Sequence, residues 1–379
     1  MKIKFLTDSF VPTLATVVSV VNPKNPLQIL SNVRIQTLSD ENGTVYANLS
    51  SSDSEVWLQM RVDCMYADCG IDACVEAKPL LTALRNLGSN EVVMAFDSAN
   101  NTVTFNYTNG KFSLPYEETD SWPTPAASAD DSYEKRIEND KLATCISKTC
   151  FAVGNSEIRP IMNGIHFNFS EDYLTCVATD GHKLAIYKDL TVKSIDGECC
   201  FTLPTKPCSI LMGILPVTIA SYIKVVFCDN CAIFSNSMFA LTATLVAGKY
   251  PNYNSIIPKD NDKTAILNKA DFIAALKRVI PLGDSSQLVA LEFTEDNMNI
   301  SSTNYEYTRS ASEDVKCEYQ NKRFTIGFKG CTLLQLLQKI DCDTVEFSLK
   351  KPTSAGVLRE TQSNNVYDYM SLAMPMVIQ

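Results

Sequence analysis

Histidine is scarce: the 379-residue chain carries only His166 and His182. A structural zinc site needs four nitrogen or sulfur ligands at set spacings. The 14 cysteines are scattered, apart from adjacent Cys199-Cys200 and one C-x-x-C, Cys228-Asp229-Asn230-Cys231, placed on a hairpin turn. It lacks a second ligand pair, so no metal site is expected. Basic residues are also in deficit, 33 against 43 acidic, for a net charge of −10. That balance counts against wholesale phosphate binding, although an acidic exterior can coexist with a basic internal surface. No apolar run reaches the length of a membrane span, and Met1-Lys2-Ile3-Lys4-Phe5 alternates like a strand rather than a signal peptide. A cytoplasmic protein with reduced thiols is expected. No Gly-x-Ser-x-Gly elbow occurs, and Asp180 and His182 straddle a glycine turn with no third orienting group. Catalytic residues and cofactors are therefore not expected.

What is present is a globular composition, 45% hydrophobic and 20% charged, in a chain long enough for two or three domains. One unit recurs. Lys78-Pro79-Leu80-Leu81, Lys206-Pro207-Cys208-Ser209 and Lys329-Gly330-Cys331-Thr332 each open an apolar helical stripe followed by a hairpin. Successive starts lie 128 and 123 residues apart, too long for a solenoid repeat and right for a domain. A second helix recurs after Asp8, Asp140 and Asp271; in the last, Phe272, Ala275, Leu276, Val279 and Ile280 form an i, i+3, i+4, i+7, i+8 series. Short alternating segments between these helices read as strands, including 33–37, 56–63, 91–96, 164–169, 222–227, 324–328 and 344–349. The fold class is α+β: three similar domains, each an antiparallel sheet with two helices. Pro- and Asp-rich stretches at 119–132 and 258–263 place the domains at 1–128, 129–258 and 259–379.

Three stretches carry the motif signal. Val177-Ala178-Thr179-Asp180-Gly181-His182-Lys183-Leu184 reads as strand, turn, strand, because Asp-Gly supplies the backbone a tight hairpin needs. The others are Lys249-Tyr250-Pro251-Asn252-Tyr253 with Ile256-Ile257-Pro258, and the terminal Leu372-Ala373-Met374-Pro375-Met376. Together with Arg159-Pro160-Ile161-Met162-Asn163-Gly164, in this order and spacing, the chain resembles the bacterial DNA polymerase III sliding clamp family (beta subunit) over essentially its whole length.

That resemblance implies a processivity factor rather than an enzyme: a head-to-tail homodimeric ring of six domains that encircles duplex DNA without reading its sequence. It implies as partners the DNA polymerase III alpha subunit, the clamp loader, and other polymerases and repair proteins that dock short linear peptides. The matching peptide pocket comprises Met162, Thr179, Gly181, His182, Lys183 and Leu184, then Pro251, Ser255 and Ile256, and finally Leu372, Met374, Pro375 and Met376. A Met-rich rim suits such interchangeable ligands, since the thioether repacks readily. DNA-facing positions carried over are Lys24, Lys78, Arg85, Asn155, Ser156, Arg159 and Lys206. Lys141 and Lys148, seven apart on one helix face, join them. The family's aromatic pair after the arginine is Pro160-Ile161 here. For ring closure the matching apolar cluster is Phe112 and Leu114 against Ile280 and Leu282, with Lys111 beside Glu313 and Asp314. Ser255 and Val377 stand where relatives commonly carry arginine. Acidic flanks on a partner peptide are therefore expected to matter less here. A clamp-like scaffold that does not encircle DNA is the alternative.

Overall fold

In the computed structural model, residues 1–124, 132–193, 197–218, 220–361 and 365–378 are described. The expected linker 119–132 thus lies partly outside them. Six α-helices form: α1 (Thr7–Val18), α2 (Ala77–Arg85), α3 (Asn139–Thr149), α4 (Thr205–Ile214), α5 (Lys269–Val279) and α6 (Gly330–Leu337). On three of them the buried positions follow an apolar stripe of helical period. Phe10, Leu14 and Val17 are buried on α1, and Phe272, Ala275, Leu276 and Val279 on α5. Leu333, Leu336 and Leu337 are buried on α6. The first helix ends at Val18, and Asn22-Pro23 bars its continuation, because the residue before a proline avoids helical geometry. The Asn268 side chain caps α5 by accepting from the Asp271 N–H at 3.1 Å.

The chain divides into two compact units, 1–143 with 206–245, and 144–205 with 246–379. In the first, all 13 strands join one antiparallel sheet. Strands of the N-terminal segment run in the order Val56–Asp63, Val45–Ser52, Asn32–Ser39, Asp72–Glu76, Gly110–Glu117, Thr102–Tyr107, Glu91–Asp97, Lys2–Leu6 and Tyr66–Ala67. Four more, Tyr133–Glu138, Tyr222–Phe227, Cys231–Ser235 and Phe239–Thr244, extend it because Phe239–Thr244 pairs with Val56–Asp63. Helices α1 and α2 pack together over this sheet.

The second unit repeats the device with 12 strands. Cys199–Pro204, Gly164–Phe169, Leu174–Thr179 and Lys183–Asp189 continue into Tyr367–Ala373, Gly356–Glu360, Thr344–Leu349 and Lys263–Asn268. Arg309–Glu318, Asn297–Asn304, Leu288–Thr294 and Phe324–Lys329 complete it. Helices α5 and α6 pack against each other and against its strands. The two sheets therefore run across the boundaries expected near 128 and 258. Pairing an otherwise free edge strand with its neighbour satisfies a row of backbone groups, a gain that composition along the chain does not reveal.

Candidate functional site: an apolar peptide pocket, basic positions and open strand edges

The Asp180-Gly181 stretch forms the expected turn between Leu174–Thr179 and Lys183–Asp189. Gly181 has φ +87°, a region costly for any residue with a Cβ. The Asp180 carboxylate accepts from the N–H groups of His182 and Lys183, both at 2.8 Å. The Thr179 hydroxyl donates to the Lys183 carbonyl at 2.7 Å. Asp180 is thus engaged in holding the turn, which accounts for it without acid–base chemistry.

Behind the turn, Val177, Leu184, Ile186, Tyr250, Ala355, Val357, Met370 and Leu372 form one buried apolar cluster. Leu184 and Leu372 are directly opposed across neighbouring strands. Ile161, Tyr253 and Ile257 pack against it while only partly buried. The edge of this cluster is open: Met374 is 41% exposed and Ile256 47%. Main-chain pairing fixes the methionine, whose N–H donates to the His182 carbonyl at 2.8 Å. Met162 is buried, with its methyl carbon 3.8 Å from where a Cβ on Gly181 would lie. Pro251, His182 and Ser255 are exposed, and the Ser255 hydroxyl donates to the Asn252 carbonyl at 2.7 Å. The result is an apolar floor with a soft, exposed rim and a bare backbone turn.

Two expected pocket residues are placed differently. The Lys183 ammonium donates to Gln335 Oε1 at 2.8 Å and lies 5.7 Å from the centroid of the Phe151 ring, so its charge is already occupied. Met376 pairs its main chain with Gly327 and lines a separate groove with Leu288, Tyr305 and Ile378. A Cβ on Gly327 would sit 2.7 Å from the Met376 carbonyl oxygen; glycine is what lets the tail lie so close.

Sequence reasoning missed the support beneath the pocket. The His166 ring stacks on Tyr250 at 4.5 Å and 10°, and its Nδ1 lies 3.1 Å from the Thr202 hydroxyl. Burial lowers its pKa to about 4, and burial likewise raises that of the Tyr250 phenol. The Lys-Tyr-Pro-Asn-Tyr motif held the signal for Tyr250. Nothing in sequence spacing pointed to His166 or Ala355.

The basic positions separate into two groups. Lys24, Lys78, Arg85 and Arg159 are exposed. Lys78 lies in the first turn of α2, where a cation opposes the helix dipole and so does not serve the helix itself. Asn155 is exposed, and Ser156 is fixed by Asn163, whose Oδ1 accepts from the Ser156 N–H at 2.8 Å. Ile158, beside Arg159, is 91% exposed. By contrast Lys148 is 5% exposed. Its ammonium donates to the Lys339 carbonyl at 2.5 Å and pairs with Asp341 at 2.7 Å. The expectation that Lys148 offers its charge to DNA is therefore corrected: a buried ammonium must be paired, and this one is. Lys206 donates to the Val20 carbonyl at 2.7 Å and to the Asp53 carboxylate, and Lys141 pairs with Glu138 at 2.7 Å. These two are committed within the chain as well.

Among the described residues, two strands inside the sheets leave one edge unpaired along most of their length. Gly110–Glu117 pairs with Thr102–Tyr107 from Gly110 to Pro115, but its other side meets Asp72–Glu76 only at Tyr116 and Glu117. Arg309–Glu318 pairs with Asn297–Asn304 from Arg309 to Lys316, and with Lys263–Asn268 only at Cys317 and Glu318. Half-buried Phe112 and Leu114 lie on the first of these strands; Phe112 stacks on buried Phe105 at 4.6 Å. Ile280 is half-buried and Leu282 is 40% exposed. Glu313 is already held by Arg278, which donates to it at 2.8 Å, and Asp314 accepts from Asn299 at 2.7 Å. Lys111 is exposed on the first of these strands, and both carboxylates lie on the second.

Repeated helix pairs on antiparallel sheets, an apolar cluster open at one edge and open strand edges mark a clamp-type protein. The DNA polymerase III beta subunit N-terminal, central and C-terminal domain profiles match residues 1–125, 136–252 and 254–376. The beta sliding clamp of Pseudomonas aeruginosa is 25% identical over 97% of this chain and 98% of its own. That of Staphylococcus aureus is 23% identical over 93% of this chain and 94% of its own. A crystal structure of the P. aeruginosa DNA polymerase sliding clamp superposes with a TM-score of 0.90 at 23% identity, covering 100% of both chains. The DNA polymerase III beta subunit of Thermotoga maritima gives 0.88 at 18% identity, with the same coverage. The chain belongs to the DNA polymerase III beta subunit family, the DNA sliding clamps of replication.

Proposed function

We propose that two copies of this sliding clamp close head to tail into a six-domain ring around duplex DNA, with domains at 1–128, 129–258 and 259–379. Phe112 and Leu114 of one copy meet Ile280 and Leu282 of the other, and the two open strand edges pair across that joint. Lys24, Lys78, Arg85 and Arg159 supply weak phosphate contacts that hold without reading sequence. The ring works in the cytoplasm as a tether and catalyses nothing itself. The polymerase III alpha subunit, the clamp loader and repair proteins dock short apolar peptides at the pocket beside Gly181.

The observation that carries the reading is the apolar cluster around Leu184 and Leu372, exposed at its Met374 and Ile256 edge. A groove of this kind takes a few apolar anchors while nearby backbone groups give direction. Fluorescence anisotropy with a labelled short peptide bearing two leucines and a phenylalanine tests it. Met374→Ala is expected to weaken binding about tenfold, in line with losing one well-buried anchor contact. Acidic residues added to the peptide's flanks should change affinity little. No binding to the wild-type chain, or equal binding by the variant, would overturn the assignment.

A further inference from the structure

The C-x-x-C that the clamp reading leaves unused has a defined geometry. Strands Tyr222–Phe227 and Cys231–Ser235 pair antiparallel with Phe227 opposite Ala232, so the next step of the register sets Cys228 opposite Cys231 across Asp229-Asn230. The Cys228 N–H donates to the Cys231 carbonyl at 3.0 Å, and the two sulfurs touch at 3.4 Å. Directly opposed residues in an antiparallel pair have Cα atoms about 4.5–5.5 Å apart, inside the roughly 4.4–6.8 Å that a disulfide spans. Modest side-chain rotation brings these sulfurs into bonding range. Adjacent Cys199 and Cys200 offer a contrast: one is buried and the other exposed, as expected of neighbours pointing to opposite sheet faces.

We propose that Cys228 and Cys231 form a dithiol site that converts reversibly to a disulfide within one hairpin, by exchange with a small disulfide such as oxidised glutathione. A metal is the less suitable occupant. Among the described residues no group of three or more His, Cys, Asp or Glu side chains could hold one, and two thiolates alone leave a zinc shell half filled. Both thiols are buried, beneath the exposed tip residues Asp229 and Asn230. Fraying of a two-residue turn is a local opening that does not require the sheet to unfold. Burial pushes the Cys231 thiol up to about 11, which keeps the closed hairpin in its protonated, slowly reacting form.

The exchange balances in two steps. One cysteine loses its proton to solvent and its thiolate attacks the glutathione disulfide, forming a mixed disulfide and releasing one glutathione thiolate. The opposed cysteine, deprotonated in turn, attacks the protein-side sulfur and releases the second glutathione thiolate. One protein disulfide forms, one glutathione disulfide is consumed, and two electrons pass from the hairpin to glutathione.

The full-length reduced chain, equilibrated with oxidised glutathione, then alkylated, digested and weighed, tests this. The peptide carrying both cysteines is expected two hydrogens lighter and free of adduct, while exposed Cys69 and Cys200 carry glutathione. Dithiothreitol should restore both thiols. Cys228→Ser and Cys231→Ser should each trap glutathione on the remaining cysteine at least tenfold more than the wild type does. Recovery of both cysteines alkylated while Cys69 and Cys200 are modified would overturn the proposal. So would separate adducts at 228 and 231, or a bond from either to another cysteine. If either serine variant fails to fold, the mass and reversibility of the wild-type peptide decide.

Discussion

At the scale of single residues, burial sets chemistry that exposure would not. His166 is stacked on Tyr250 with its pKa lowered to about 4 by burial. An unfolded histidine takes up its proton near 6.5 while the folded one resists until about 4. Its contribution is fully present above pH 6.5 and is lost as pH falls towards 4. Wild-type stability in urea should therefore drop between pH 6.5 and 5, by about 1–3 kcal/mol from this group. His166→Phe keeps an aromatic partner for Tyr250 and removes the titration. Its midpoint should stay flatter over the same interval, and an equal drop in both proteins would refute the account. Lys148 shows the converse. Seven residues after Lys141 it shares that helix face by spacing alone, yet its ammonium is paired with Asp341. Sequence periodicity identifies a face but not what the face meets.

Among elements, the turn at Gly181, the stripes of α5 and α6, and the limits of several strands were legible, because each rests on local patterning. Strands 164–169, 222–227 and 344–349 fall where alternation put them. What was not legible is long-range pairing. No pattern in Phe239–Thr244 announces Val56–Asp63 as its neighbour, and none in Lys183–Asp189 announces Tyr367–Ala373. The candidate pocket was legible as motifs, while its floor at Ala355 and Val357 comes from the start of strand Gly356–Glu360 and the residue before it, which carried no motif. The open edge of Gly110–Glu117 belongs to the same class of information: a strand's free side appears only once its neighbours are known. Its half-buried Leu114 yields a sharp expectation. Leu114→Asp places a charge on the proposed apolar joint, as does Leu282→Asp on the other surface. Each should shift the protein to a monomer by sedimentation velocity while its peptide affinity stays within about twofold of wild type. Variants that remain dimeric would move the joint elsewhere.

For the whole molecule the question is how a chain of net charge −10 holds a polyanion. Topological enclosure removes the need for tight binding: a closed ring requires only enough phosphate attraction to centre the duplex, and stronger contacts would oppose sliding. The commitment of Lys148 and Lys206 to internal partners leaves fewer cations than their number in the sequence suggests, which suits such a regime. Exposed Lys78 and Arg85 are then the informative pair. Each phosphate contact removed should lower the slope of log affinity against log salt by about 1. Measured by anisotropy on duplex DNA at low salt, Lys78→Ala with Arg85→Ala, which removes both cations from each of the two copies, should flatten that slope by up to about 4, uniformly across sequences. Lys148→Ala should leave the slope unchanged and instead lower the unfolding midpoint, because Asp341 and the Lys339 carbonyl lose their partner. A slope that responds to Lys148 and ignores Lys78 and Arg85 would place the DNA-facing surface on other residues. A slope near zero for the wild-type chain would favour a scaffold that never encircles DNA.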